Sequence, residues 1–482
     1  VKLAPDFVRP ERGPVTLHLP GNRLQQLLAD VDHIVNYPYA CTEQTASRLI
    51  GLLALKQIRT AEGKPFTKES QIRKMVRRLE KLRRRDGGFG WWSSSVAASP
   101  WISLHVYTAL NAAADQGYPV KDLRPLQRYL VSKVPELSVN DQLQILLTLA
   151  ENGPPPTTEE MARLDTIQEP TDYQLLALTR LHQLRGDTVD TQRLLDSSSR
   201  HAVLGRYWGE QRFGFGRQPL HSRVANGLLA VRIFQEAGDT LTVNETINYL
   251  LGRVASGPQA GNVPLLGTNT LESAKLVAGL LPVLLQDGDV LTPPFISLAA
   301  NNTVRIIKDF PFSVEIAPED LSSVNLMRWG NTPLPVSISQ RWFEAKPTEQ
   351  DQGFRIETRL TDARQRSLGQ LTRGTKAFLE VTVANEADAD YVLIEVPIPA
   401  GCSFDDRMES RGPYAVHREY RRDRVAIFCD RLPAGQHVYR VALAPRFSGA
   451  YTLNPARAEM QYVPGVNGNG GIEGVRIEGL KE

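Results

Sequence analysis

A cysteine and a glutamine three residues apart can form a bond that few side chains offer. They occur in Tyr37-Pro38-Tyr39-Ala40-Cys41-Thr42-Glu43-Gln44-Thr45-Ala46-Ser47-Arg48. Pro38 bars helix before it, and an amphipathic run opens near Thr42, so Cys41 is expected at a helix N-terminus. Unsatisfied backbone N–H groups and the helix dipole there favour thiolate, the nucleophilic form. Attack on the Gln44 side-chain carbonyl expels ammonia and closes an internal thioester, an acyl donor held in store. Water destroys such a bond, so its surroundings must be dry until use. Tyr37 and Tyr39 lie just upstream as suitable covers. On this short spacing alone the plainer reading is a buried cysteine at a helix start, with Glu43 and Gln44 as ordinary first-turn residues.

Other chemistry is thin. The two remaining cysteines, Cys402 and Cys429, flank neighbouring strand patterns. They either pair in an oxidising compartment, leaving Cys41 as the odd thiol, or stay as two buried thiols. The eight histidines include no H-E-x-x-H and no pair at i, i+4, so neither a metal nor a cofactor is expected. His105, on an apolar helix near Trp101, reads as a core or inner-wall residue. The sequons at Asn244 and Asn301 carry little weight.

Composition sets the frame. The 482 residues predict about three domains at ~150 residues each. Lys plus Arg is 56 and Asp plus Glu is 53, giving +3 and no global field for nucleic acid or an anionic membrane. A hydrophobic share of 41% excludes wholesale disorder. No apolar run approaches the ~20 residues of a membrane span. The start, Val1-Lys2-Leu3, has neither Met nor a signal core and reads as an excised piece of something longer.

The elements that must position Cys41 change character near residue 295. Before it, apolar residues recur at helical spacing. Helices are expected at 22–35, 42–60, 67–85, 101–116, 123–133, 139–151, 158–167, 171–185, 190–203, 220–237, 241–253 and 269–286. Gly117, Gly153-Pro154-Pro155-Pro156, Gly186-Asp187 and Gly238-Asp239 punctuate them. Roughly six hairpins closing on themselves make an α/α toroid with one helix of each pair inside. In 67–85, Thr67 is a candidate N-cap. The basic run Arg73 to Arg85 lies off the apolar stripe and reads as a solvated face rather than a nucleic-acid patch, since no aromatic residues interrupt it. From 296 the period becomes two, with strands expected around 304–307, 310–316, 336–339, 377–383, 391–398, 425–429 and 438–443. The segment 463–474 carries five glycines and reads as a mobile loop or linker.

Over its full length the stretch from Tyr37 to Arg48 resembles the thioester motif of the bacterial α2-macroglobulins. Asp86-Gly87-Gly88-Phe89-Gly90-Trp91-Trp92, Ser99-Pro100-Trp101-Ile102-Ser103 and Gly117-Tyr118-Pro119-Val120 look like later hairpins of that domain. Asp430-Arg431-Leu432-Pro433-Ala434-Gly435 and Pro455-Ala456-Arg457-Ala458-Glu459-Met460 resemble the last macroglobulin-like domain. The resemblance implies multidomain α and β architecture. An α/α toroid at 21–292 is inserted in a small CUB-like β-domain, 1–20 and 293–348, and a macroglobulin-like β-sandwich follows at 349–482.

It also implies a function. The family traps proteases: a bait is cut, the molecule rearranges, and the exposed thioester captures an amine of the protease. The residues implied are Cys41 as sulfur, Gln44 as acyl donor, and Tyr37, Tyr39 and Met460 as shields. Simple core packing is an equal reading of Met460. The partners implied are target proteases and upstream macroglobulin-like domains. The place is periplasm or cell envelope, with the full-length protein often lipid-anchored, and the protein is not an enzyme with turnover. Two departures stand out. Ala40 replaces the usual glycine. No histidine lies between His105 and His182, where complement relatives carry one that passes the acyl group to hydroxyls. Two other classes compete: a non-covalent module with an unformed or spent thioester, and an α/α-toroid hydrolase or lyase. The second is disfavoured because no paired carboxylates stand out, and Asp30-Val31-Asp32-His33 is not the acidic cluster of terpene cyclases, whose Gly-aromatic turns Phe89-Gly90-Trp91-Trp92 resembles.

Overall fold

The computed structural model describes residues 8–201, 205–209, 223–252, 269–286, 295–300, 303–329, 336–342, 347–405 and 412–479. They fall into two compact units. Among the described residues, the first covers 8–91, 97–209 and 223–342, and the second covers Trp92–Val96 and 347–479.

The first unit holds the helices α1 (Arg23–Asn36), α2 (Thr42–Ala61), α3 (Glu69–Leu82), α4 (Pro100–Asp115), α5 (Arg124–Lys133) and α6 (Val139–Glu151). After them come α7 (Thr158–Leu164), α8 (Asp172–Arg185), α9 (Thr191–Ser197), α10 (Arg223–Glu236), α11 (Thr240–Leu251) and α12 (Thr270–Gln286). Their boundaries follow local chemistry. Asn22, Ser138 and Asp239 accept first-turn N–H groups, Thr157 with Glu160 and Thr171 with Gln174 form reciprocal boxes, and α8 stops at left-handed Gly186. Two expectations shift. α3 is capped by Lys68 without a side-chain bond, not by Thr67. The helix expected over 190–203 ends at Ser197, because Ser199–His201 pairs with Gly205–Tyr207 as a short hairpin.

The helical segment closes on itself. α12 packs against both α1 and α2, and Ser273 on α12 donates to Asp30 on α1 at 2.7 Å. Gly51 lets α1 and α2 approach closely, since a Cβ there would meet Ile34 at 2.7 Å. The even-numbered helices, from Ile50 on α2 to Pro282 on α12, line a central cavity of about 440 Å³. In the chain, this segment sits between paired strands. Val15–Leu19 is flanked by Phe312–Ile316 and Ser337–Gln340, both antiparallel to it. A second sheet places Phe295–Ala300 between Thr303–Ile307 and Asn325–Trp329. Val15, Leu17, Leu19, Ile296, Leu298, Ile307 and Ile316 share one small core. Asn301, expected as part of a sequon, lies outside the described residues.

The second unit is built of β-sheets. One sheet orders Arg355–Thr361, Ala377–Asn385, Gly435–Pro445 and Cys402–Phe404. The larger orders Ala415–Tyr420, Arg424–Leu432, Ala389–Pro397, Arg457–Met460, Val463–Asn469 and Gln350–Gln352. Phe354, Leu379, Val381, Ile394, Ile427 and Val441 fill the core, all at most 1% exposed. The glycine-rich 463–474 stretch is not a loop. Val463–Asn469 pairs with Arg457–Met460 on one side and Gln350–Gln352 on the other, and Glu473–Glu478 forms another strand. The glycines serve close backbone approach: a Cβ at Gly468 would overlap the Phe354 carbonyl oxygen.

Gly468→Ala should therefore destabilise the chain by about 2–4 kcal/mol. Gly474→Ala, where a Cβ meets open space, should change stability by under about 0.5 kcal/mol. Equilibrium urea unfolding compares them, and equal stabilities would refute the close approach at Gly468.

Candidate functional site

Cys41 is the N-cap of α2. Its backbone is extended, at φ −67° and ψ −178°, which releases the chain from the helix at this residue. The cap is reciprocal. The Gln44 N–H points at the Cys41 sulfur at 3.4 Å, and the Cys41 N–H donates to the Gln44 side-chain oxygen at 2.9 Å. This is the capping-box geometry usually made by Ser/Thr with Glu/Gln, with sulfur in the cap position. Two consequences follow. The thiol and the carboxamide are held in one turn. The Gln44 carbonyl is also polarised by the Cys41 N–H, which stabilises negative charge on its oxygen if the carbon is attacked. Thr45 Oγ1 donates to the Cys41 carbonyl at 2.7 Å, and Thr42 N–H donates to the Trp91 carbonyl at 2.9 Å.

The sulfur is dry. Cys41 is 1% exposed and Gln44 2%. Burial and the neighbouring Glu43 charge push the thiol well above its ordinary range. Hydrogen bonds from the Gln44 and Glu43 backbone and from the Trp91 side chain act in the opposite direction. The expected acidified thiolate is thus overturned: at this helix start desolvation outweighs the dipole. A site that disfavours thiolate favours neutral sulfur, either thiol or acyl thioester.

Behind the sulfur lies a buried polar network. Glu43, with no exposed surface, accepts from Ser47 Oγ at 2.5 Å and from Thr270 Oγ1 on α12 at 2.8 Å. Ser47 also bonds His105 Nε2 at 2.9 Å. Burial, then the charge of Lys275, pushes His105 down to about 3, so it is neutral and weakly basic. It lines the central cavity, in keeping with the inner-wall reading.

In front, the loop is pinned by two cations. The Arg48 guanidinium donates to the Tyr37 carbonyl, and Arg78 on α3 donates to the Ala40 carbonyl. Tyr37 and Tyr39 meet edge to face with centroids 6.0 Å apart, Tyr39 buried at 4% exposure and Tyr37 half-buried.

The structure thus gathers Cys41, Gln44, Tyr37 and Tyr39 in the first unit. Met460 belongs to the second, where it faces Val392 across two strands and joins the core. Cys402 and Cys429 are free thiols on different sheets. Burial raises them to about 11 and about 12. Sequence reasoning missed Trp91, Arg48, Arg78 and the Glu43 network. The available signals were the Gly-aromatic run Phe89-Gly90-Trp91-Trp92 for Trp91, the basic run for Arg78, and the stretch from Tyr37 to Arg48 for Glu43, Ser47 and Arg48. Among the described residues no group of three His, Cys, Asp or Glu is placed to hold a metal ion, and no helix is long and apolar enough to cross a membrane.

Comparisons with known proteins agree with one another. Residues 337–465 match the family described as Bacterial Alpha-2-macroglobulin MG10 domain. A 104-residue stretch is 36% identical to the α2-macroglobulin of Ralstonia nicotianae, covering 20% of this chain and 7% of that protein. The crystal structure of native Escherichia coli α2-macroglobulin from domain MG7 to the C-terminus superposes with a TM-score of 0.70 at 17% identity, over 99% of this chain and 80% of that one. A Salmonella α2-macroglobulin reacted with methylamine superposes with a TM-score of 0.69 at 18% identity, over 99% of this chain and 33% of that one. At these identities the two structures speak for the fold. The chain spans a third of the Salmonella protein and a far smaller share of the Ralstonia one is aligned. Residues 337–465 are a bacterial α2-macroglobulin MG10 domain, and over 99% of its length the chain shares the fold of the C-terminal part of Escherichia coli α2-macroglobulin.

Proposed function

We propose that this chain is the covalent arm of a broad-spectrum protease trap. The observation that carries the proposal is the buried reciprocal cap at Cys41 and Gln44. The Cys41 sulfur attacks the Gln44 side-chain carbon, the thiol proton leaves with the amide nitrogen as ammonia, and a C–S bond replaces the C–N bond. A lysine amine of the target then attacks the same carbon. An amide forms, the C–S bond breaks, and the amine's proton returns to sulfur.

Burial explains the storage. Expelling thiolate into a dry site is unfavourable, so the acyl group is stable while covered and reactive once exposed. Amines are the acceptors because they need no general base; His105, stripped of basicity and bonded to Ser47, is a poor one. The methylamine reaction named for the Salmonella protein supports this reading.

The same proposal covers the wider architecture. The closed helical segment at 21–292 is read as an α/α toroid of six hairpins, inserted in a CUB-like domain at 1–20 and 293–348, with the macroglobulin-like sandwich at 349–482. The even-numbered helices lining the cavity and the strand pairing of Val15–Leu19 with Phe312–Ile316 support it. The working place is the periplasm or cell envelope. The partners are target proteases and the upstream macroglobulin-like domains of a longer protein, lipid-anchored at the membrane.

Cys41→Ala and Gln44→Ala should each abolish methylamine incorporation, while costing only the ~1–2 kcal/mol of a lost cap. Glycerol in place of methylamine should leave the wild type unlabelled. Mass spectrometry reads both, and unchanged labelling in either variant would refute the thioester.

Tyr37→Ala and, less strongly, Met460→Ala should hasten spontaneous thioester loss without preventing its formation. Free-thiol release at Cys41 over time, in amine-free buffer with other thiols blocked, measures this. Wild-type rates in both variants would return the two residues to ordinary packing.

A further inference from the structure

The α3 face was read above as merely solvated. Residues 64–85 hold ten lysines and arginines against two glutamates, in a chain whose total charge is only +3. On α3, Ile72, Met75, Val76 and Leu79 are buried, while Arg73, Lys74, Arg77, Arg78 and Lys81 are exposed. The two acids are already engaged. Glu69 pairs with Lys56 at 2.9 Å and accepts from Tyr118 at 2.6 Å, and Glu80 accepts the Lys121 N–H at 2.8 Å. Beside the helix runs a groove of about 380 Å³ whose walls include Arg73, Arg77, Tyr118 and Lys121. The face also reaches the loop before Cys41: Arg78 holds the carbonyl of Ala40, and burial, then the Arg78 charge, lowers the Arg48 pKa.

We propose that the α3 face is a docking surface for an acidic protein surface, and that it directs the acyl group to lysines lying among carboxylates. The second half rests on the covalent reading; the docking does not. Charge complementarity carries the choice of partner. A cationic face repels an isolated lysine but attracts the carboxylates around a paired one. Docking exchanges those carboxylates from lysine to the α3 arginines. Beside fixed cations the released ammonium loses its proton more readily, and only the neutral amine attacks. A folded protein suits this face better than nucleic acid, since no aromatic side chain is interleaved among the α3 cations for bases to stack on.

The test uses the whole chain with two small lysine-containing acceptors, acidic α-lactalbumin and basic lysozyme. Conjugation to α-lactalbumin should be roughly tenfold faster at low salt, and the preference should vanish at high salt. The variant R73E/K74E/R77E/K81E should lose the preference while taking up methylamine at the wild-type rate. The corresponding all-Gln variant should lose most of it. Binding to α-lactalbumin by a Cys41→Ala chain, sensitive to salt and abolished by the charge reversal, supports the surface independently of the covalent bond. Absence of methylamine uptake by the wild type sinks the covalent reading and with it the directed transfer. Equal, salt-insensitive reaction with both acceptors, or binding to heparin or anionic vesicles without binding to α-lactalbumin, overturns the docking surface.

Discussion

The reciprocal bonds between Cys41 and Gln44 are worth little unless water is kept from them. A capping box on an exposed helix is a modest stabiliser. The same box at 1–2% exposure holds the thiol and the carboxamide in one turn away from water, which is what the proposed condensation requires. Much of the first unit serves that enclosure. Trp91 closes over the sulfur from the loop between α3 and α4, taking the Thr42 N–H on its carbonyl. α12, the last helix in sequence, returns to pack on α1 and α2.

Enclosure has a cost, and the structure shows how it is met. Glu43 enters the core with the first turn of α2, and a buried carboxylate without partners is strongly unfavourable. Ser47, one turn on, and Thr270, from the far end of the helical segment, satisfy it. The packing of α12 on α2 therefore also supplies one of the hydrogen bonds that make Glu43 tolerable. Breaking the contact of α12 with α2 would strip Glu43 of its bond from Thr270.

Much of this was legible in the sequence. Helical periodicity with Gly and Pro punctuation located most of the helices to within a few residues, because apolar stripes and turn residues are local signals; the one cap read, Thr67, is displaced by Lys68, and the run expected over 190–203 stops at Ser197. The position of Cys41 at a helix start followed from Pro38 and the run after Thr42. Its acidity did not follow. The dipole is written in the local sequence, whereas the burial that desolvates the thiol and keeps the Glu43 charge beside it depends on tertiary packing. The 463–474 stretch failed for a related reason. Glycine usually marks freedom, yet Gly468 is there because the Phe354 carbonyl leaves no room for a side chain. Arg78 was visible only as one charge in a basic run; its bond to Ala40 needs the fold.

The central claim is that Cys41 and Gln44 condense within the cap. Intact-mass measurement of the purified chain, paired with thiol titration before and after methylamine, tests it most directly. The account predicts a chain lighter by one ammonia than its sequence, with Cys41 unreactive towards thiol reagents until methylamine adds its mass and frees the sulfur. A chain at its full sequence mass, with methylamine adding nothing and no thiol released, would contradict it.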